Sequence, residues 1–169
     1  MKKLLSTLLF AVTLLTLGGC SGGYSFTGAS IPAEAKTISI TQFPNYASTV
    51  NPQLSQKLYD GLQQMFSSQT SLGVTSDDGD LLITGEITDY STRASSIGSD
   101  DNVATNRFTI SIKVTFTNRF DPKANFEQSF SRFKDYAASR DFSSVEQSLT
   151  DEIVNELCED IFNKSVVNW

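Results

Sequence analysis

Between Arg107 and Thr117, apolar and polar residues alternate without a break: Phe108, Ile110, Ile112, Val114 and Phe116 against Arg107, Thr109, Ser111, Lys113, Thr115 and Thr117. A period of two held over that length predicts a half-buried strand. Its register is fixed, because a slip of one residue would turn every apolar side chain into water. Leu81 to Tyr90 reads the same way, with Leu81, Ile83, Gly85 and Ile87 on one face. Lys36 to Gln42 predicts a shorter strand with Ile38 and Ile40 inward, extended to Gln42 by parity and stopped by Pro44. Phe43 has the opposite parity and is expected to cover that strand's end. A fourth strand is predicted over Asn125 to Tyr136. There Phe126 and Phe130 share a face but Phe133 does not, and a bulge near Ser131 would bring all three inward.

Two stretches carry the helical period instead. Leu54, Leu58, Leu62, Met65 and Phe66 gather on one side behind Asn51-Pro52, which reads as an N-cap followed by proline at the first helical position. Gly61 lies beside that stripe, where it permits close approach. Ser143-Ser144-Val145-Glu146 has the form of a capping box and opens a second helix to about Ser165. Its apolar arc is Val145, Leu149, Ile153, Val154, Leu157, Cys158, Ile161 and Phe162. Asp151, Glu152, Glu156, Glu159 and Asp160 form the solvated side. Asp77-Asp78-Gly79-Asp80 reads as a turn without the spacing of a calcium loop. Residues 91–104, rich in Ser, Asp, Asn and Gly, read as a mobile loop.

The predicted fold class is therefore α+β. It is a two-layer sandwich in the order β-α-β-β-β-α, a four-stranded, mostly antiparallel sheet with two helices on one face.

The first residues change the picture of where this domain sits. Lys2 and Lys3 precede an apolar run from Leu4 to Leu17, which is too short to span a hydrocarbon core of about 30 Å, and Leu17-Gly18-Gly19-Cys20 follows. The pattern of leucine, two small residues and cysteine resembles a bacterial lipobox. It predicts a signal peptide over residues 1–19, cleavage before Cys20 and acylation of its thiol. Several acyl chains together give durable membrane anchoring. Residues 20–35, rich in Gly and Ser, are a lipidated tether, and residues 36–169 are one domain.

Charge and composition then remove several functions. The chain carries −6, and the signal holds two of its 13 basic residues and none of its 19 acidic ones, so the mature protein is more negative still. That balance argues against general nucleic-acid binding, which depends on phosphate neutralisation. Histidine is absent, which excludes Ser-His-Asp and Cys-His catalysis and His-ligated zinc. With Cys20 acylated, Cys158 has no partner in the chain and reads as a small buried hydrophobe. Ser131-Arg132-Phe133-Lys134 fits S-x-x-K, but the companion motifs of that chemistry are missing. No enzyme, metal or cofactor is indicated.

The order of elements on a lipidated N-terminus resembles the lipopolysaccharide-assembly lipoprotein family LptE, in its Bacteroidetes-type form. The residues that carry the resemblance are Gly23-Tyr24-Ser25-Phe26-Thr27-Gly28, Phe43-Pro44-Asn45, Gln69-Thr70, Gly79-Asp80-Leu81, Gly85 to Tyr90, Asn106 to Ile110, Phe130 to Phe133, and Ile161-Phe162-Asn163 with Trp169. The resemblance implies a periplasm-facing outer-membrane lipoprotein that plugs the large β-barrel LptD, helps it fold and assists lipopolysaccharide delivery to the outer leaflet. It implies no enzyme activity. Ser21, with no acidic residue beside it, looks like an outer-membrane sorting context. A lipoprotein binding a different envelope protein or lipid fits the alternation and lipidation equally well.

Lipopolysaccharide phosphates would need a local cationic cluster on this acidic chain. Arg107, Lys113 and Arg119 share the outward parity of one strand, and Arg132 and Lys134 lie on the next. Antiparallel pairing is expected to bring the two sets together as the candidate lipopolysaccharide-binding residues.

Overall fold

A computed structural model describes residues 31–96 and 104–166. The signal, Cys20, the tether as far as residue 30, residues 97–103 of the predicted loop and Trp169 lie outside the described residues, whereas Ala35, at the end of the predicted tether, is buried in the core. The elements are β1 (Thr37–Ile40), α1 (Leu54–Gln69), β2 (Gly73–Thr75), β3 (Leu81–Ser96), β4 (Thr105–Asn118), β5 (Phe126–Ala137) and α2 (Glu146–Val166).

The sheet has five strands in the order β2-β1-β3-β4-β5, not four. β1 runs parallel to both of its neighbours, and β3, β4 and β5 are antiparallel. The added strand is Gly-Val-Thr, matched to Thr37, Ile38 and Ser39, and three residues with one apolar side chain carry no readable period. β3 is also longer than its pattern. Residues 91–96, expected in a loop, pair with β4. Over Thr92 to Ser95 the side chains are exposed, so no buried face leaves a signature there.

Both helices cover one face. Inward residues of β4 such as Phe108, Ile110, Ile112 and Val114 are fully buried, whereas the alternate residues stay half-exposed. Leu54, Leu58, Leu62 and Phe66 of α1 and Ile153, Leu157, Cys158 and Ile161 of α2 fill the same core. The helices meet closely at Gly61, where an added Cβ would lie 3.0 Å from Cys158 Sγ. Burial pushes the Cys158 thiol up to about 12, which leaves it a packing group and no nucleophile at neutral pH.

Parity breaks explain the remaining departures. After β1 the chain leaves the ladder and returns at Asn45, where Ile87 N donates to Pro44 O (2.9 Å) and Tyr46 N to Ile87 O (2.9 Å). The detour exposes Gln42, which bonds Gln56 (2.8 Å), and buries Phe43 completely against Gly85. A register shift between Ile87 and Asp89 turns Tyr90 inward.

β5, by contrast, pairs with β4 in one unbroken register, so the bulge expected near Ser131 does not form. Phe126, Phe130 and Tyr136 face the core, and Phe133 lies on the other side at 49% exposure.

Helix starts differ from their sequence signals as well. α1 begins at Leu54, while Asn51 Oδ1 accepts from Gln53 N (2.9 Å) just before it. The capping box is not what Glu146 serves. Its Oε1 accepts from Tyr90 OH (2.5 Å) and from Asn51 Nδ2 (3.3 Å), and a 3-10 turn over Phe142–Ser144 leads into α2. This polar cluster ties the start of α2 to β3 and to the loop before α1. Burial, and then the Glu146 hydrogen bond, raise the Tyr90 phenol above its ordinary value.

The turn at Asp77 to Asp80 is a staple. Asp80 Oδ2 accepts from Lys36 N (2.8 Å), Thr37 N (3.0 Å) and Thr37 Oγ1 (3.0 Å), tying the start of β1 to the start of β3.

Candidate functional site

The alternation in β4 that fills the core leaves an opposite face of the sheet that no helix among the described residues covers. Its rows follow from the register: Glu86, Lys113 and Ser129; Asp89, Ser111 and Ser131; Ser91, Thr109 and Phe133; Arg93, Arg107 and Asp135. The middle of this surface is hydroxylic, and Ser111 and Ser131 bond to each other through their Oγ atoms at 2.8 Å.

Its charges are mostly paired. Arg107 donates to both oxygens of Asp135 (Nε to Oδ1 2.8 Å, Nη2 to Oδ2 2.9 Å) and lies over the Phe133 ring, 3.7 Å from the centroid. The guanidinium holds the Asp135 carboxyl below its usual range. Lys113 pairs with Glu127 at 2.7 Å, chiefly for that reason titrating above an ordinary lysine. Arg93 stands directly across from Arg107 and makes no ion pair with a described residue.

The five predicted cations are not one cluster. Arg107 and Lys113 lie on the open face. Arg119 follows the end of β4 and pairs with Asp78 across the turn. Arg132 and Lys134 sit opposite Ile110 and Phe108 in the register and share the parity of Phe130 and Tyr136. They therefore project on the helix side. There α2 offers carboxylates at i, i+4 and i+8: Arg132 holds Asp160 in two bonds (2.6 and 2.5 Å), and Lys134 reaches Glu156 (2.7 Å) and Glu152 (3.2 Å). Antiparallel pairing brings the two sets adjacent in register but on opposite faces of the sheet. The acidic side of α2 is thus partly a seam to β5 and not simply a solvated surface.

Ser131 and Lys134 of the S-x-x-K match also fall on opposite faces, because three residues along a strand reverse direction. Among the described residues no group of three or more His, Cys, Asp or Glu is placed to hold a metal ion. No helix of the described residues is long and apolar enough to cross a membrane. Two features escaped the sequence reading. Arg93 lay in a stretch read as loop, and the Arg107–Phe133 stack required knowing that β5 has no bulge.

Comparison with known proteins bears on what this surface serves. No protein of curated function matches the sequence. Among solved structures, a minor lipoprotein from Acinetobacter baumannii superposes with a TM-score of 0.51 at 12% identity, covering 77% of this chain and 91% of that one. Lipoprotein B from Nitrosomonas europaea gives 0.51 at 13% identity, over 83% and 88%. A homolog of neuraminyllactose-binding hemagglutinin from Helicobacter pylori gives 0.55 at 10% identity, over 83% and 91%. At such identities these likenesses establish a shared fold. A family model described as LptE, lipopolysaccharide-assembly, matches residues 35–165, which takes in both helices but for Val166 and all five strands. By that match this chain belongs to the LptE family of lipopolysaccharide-assembly proteins.

Proposed function

We propose that this protein is an outer-membrane lipoprotein, held on the periplasmic side by acyl chains on Cys20, that plugs the LptD β-barrel and assists its assembly for lipopolysaccharide insertion into the outer leaflet. The observation that carries the reading is the family match over residues 35–165. The sheet face that no described helix covers supports it on physical grounds. The lumen of a large membrane barrel is polar, and a face of hydroxyls with its Arg107–Asp135 and Lys113–Glu127 pairs already formed suits such a wall, while Glu86, Asp89 and Arg93 are left to find partners on it.

For lipopolysaccharide, Arg107, Lys113 and Arg119 are the candidate phosphate contacts, each exchanging a carboxylate for the anion. Arg132 and Lys134 remain candidates on the other side of the sheet, where a phosphate would have to displace the α2 carboxylates.

Affinity purification of the tagged protein from detergent-solubilised outer membrane, followed by mass spectrometry, tests the barrel reading. A stoichiometric LptD-like barrel is expected, and its absence from a well-folded preparation overturns the reading. Cys20→Ala tests the anchor by intact mass and membrane fractionation. The variant is expected to be an unacylated precursor, and wild-type mass and location would defeat lipidation at Cys20.

A further inference from the structure

The sheet ends on one side in β2, three residues long, and on the other in β5, which spans Phe126–Ala137. A short edge offers little to a passing strand. A twelve-residue edge runs for about 40 Å at about 3.4 Å per residue and presents a continuous row of backbone donors and acceptors. β5 has neither a proline nor a bulge to interrupt that row, and no described strand pairs with its outer side.

Beside it lies a groove of about 510 Å³ between β5 and the last turns of α2, lined by Gln128, Phe130, Arg132, Asp160, Asn163 and Lys164. Arg132 and Asp160 neutralise each other there. Lys164 makes no ion pair with a described residue, and its ammonium stands 5.8 Å from the Phe126 ring centroid. The described residues that line the groove therefore carry a net charge of +1 on an otherwise acidic protein.

We propose that the β5 edge is a β-augmentation site for an acidic extended segment of a partner polypeptide. The segment's backbone would pair with β5 while a carboxylate on its groove side meets Lys164. A polypeptide is the occupant because alternating N–H and C=O groups at strand spacing are matched by another extended backbone, which supplies affinity while alternate side chains supply selectivity. The inference stands apart from the barrel reading, since any acidic strand with the right spacing satisfies it.

The test uses the full protein in detergent and a capped decapeptide in which threonine alternates with valine and glutamate. Amide hydrogen exchange should show protection spreading along β5 on peptide addition. A peptide with lysine for glutamate should bind about tenfold more weakly, and Lys164→Glu should invert that preference. N-methylation of the backbone nitrogens on one edge of the peptide should abolish binding, and on its other edge should not. Lys164 is exposed in the last turn of α2, so its variant retains the fold. Failure of the acidic peptide to protect β5 at about 1 mM, about 1000-fold above a micromolar constant, overturns the proposal. So does equal binding of acidic and basic peptides, or indifference to N-methylation. Protection of the β5 edge in the peptide-free protein, whether by this chain's own N-terminal segment or by a second copy, overturns it as well.

Discussion

Gly85→Ala is the most direct test of how the first strand's end is packed. An ideal Cβ at this position would fall 2.7 Å from Lys113 O on the neighbouring strand, and 2.7 and 2.8 Å from Cε2 and Cζ of Phe43. Carbon pairs rest at about 3.5–4.0 Å, so the fully buried ring would have to retreat by close to an ångström, and the ladder carbonyl oxygen would have to give way as well. In an unencumbered strand, replacing glycine by alanine favours folding by about 0.5–1 kcal/mol. Overpacking costs about 1–3 kcal/mol and here exceeds that gain, because neither neighbour is a flexible side-chain tip. For a domain of this size each kcal/mol corresponds to about 2–4 °C, so the melting temperature followed by circular dichroism should fall by about 2–8 °C. In a Phe43→Ala background, itself costing about 3–5 kcal/mol, the added methyl no longer meets the ring and keeps only its clash with Lys113 O, so Gly85→Ala should cost about 1 kcal/mol less. A rise in melting temperature for Gly85→Ala, or strict additivity of the two changes, would refute the packing argument.

Reversing Arg132 and Lys134 to Glu sets two carboxylates against Glu152, Glu156 and Asp160, so it should lower the melting temperature, with partial recovery in salt; an unchanged value would show that the β5–α2 seam is not formed. Asp80 is held below its ordinary carboxyl value of 3.8, first by the Lys36 amide and then by the Thr37 hydroxyl. A depressed pKa stabilises the fold above the ordinary value, and that contribution is lost as pH falls through the lower folded one. Asp80→Asn should therefore be less stable than the parent at pH 7 and approach it at pH values well below 3.8; a constant difference down to acid would contradict this. For Cys158 the folded pKa is raised, so the buried neutral thiol favours folding below about 9.0 and that contribution is lost between there and about 12. Iodoacetamide at pH 8 should leave native Cys158 unmodified by intact mass and alkylate it in urea, and rapid reaction of the folded protein would place the thiol elsewhere.

What the sequence determined by itself is what a period can carry. β4 and the first half of β3 were legible because each has one wet and one dry face, and both helices were legible from their apolar stripes. The absence of histidine and the net negative charge removed whole classes of chemistry without any geometry. The family likeness rested on residues whose order, more than any single one, could be read along the chain.

Tertiary structure decided wherever a residue answers to something distant. Phe43 is buried against its strand's parity because Gly85, some forty positions later, leaves room for its ring. Glu146 leaves its local cap because Tyr90, turned inward by a register shift in β3, offers a buried hydroxyl. β2 sets only Val74 against the core, and the end of β3 pairs through its backbone with its side chains exposed, so neither leaves a pattern to read.

Antiparallel pairing of neighbouring strands, the ground for expecting the five cations together, does not say which face each of them takes. The unbroken register puts Arg132 and Lys134 on the helix side, where carboxylates one helical turn apart on α2 meet alternate residues of the strand. Periodicity fixes which residues share a face. Which face another element covers, and which charges meet there, is set by the pairing of segments far apart in the chain.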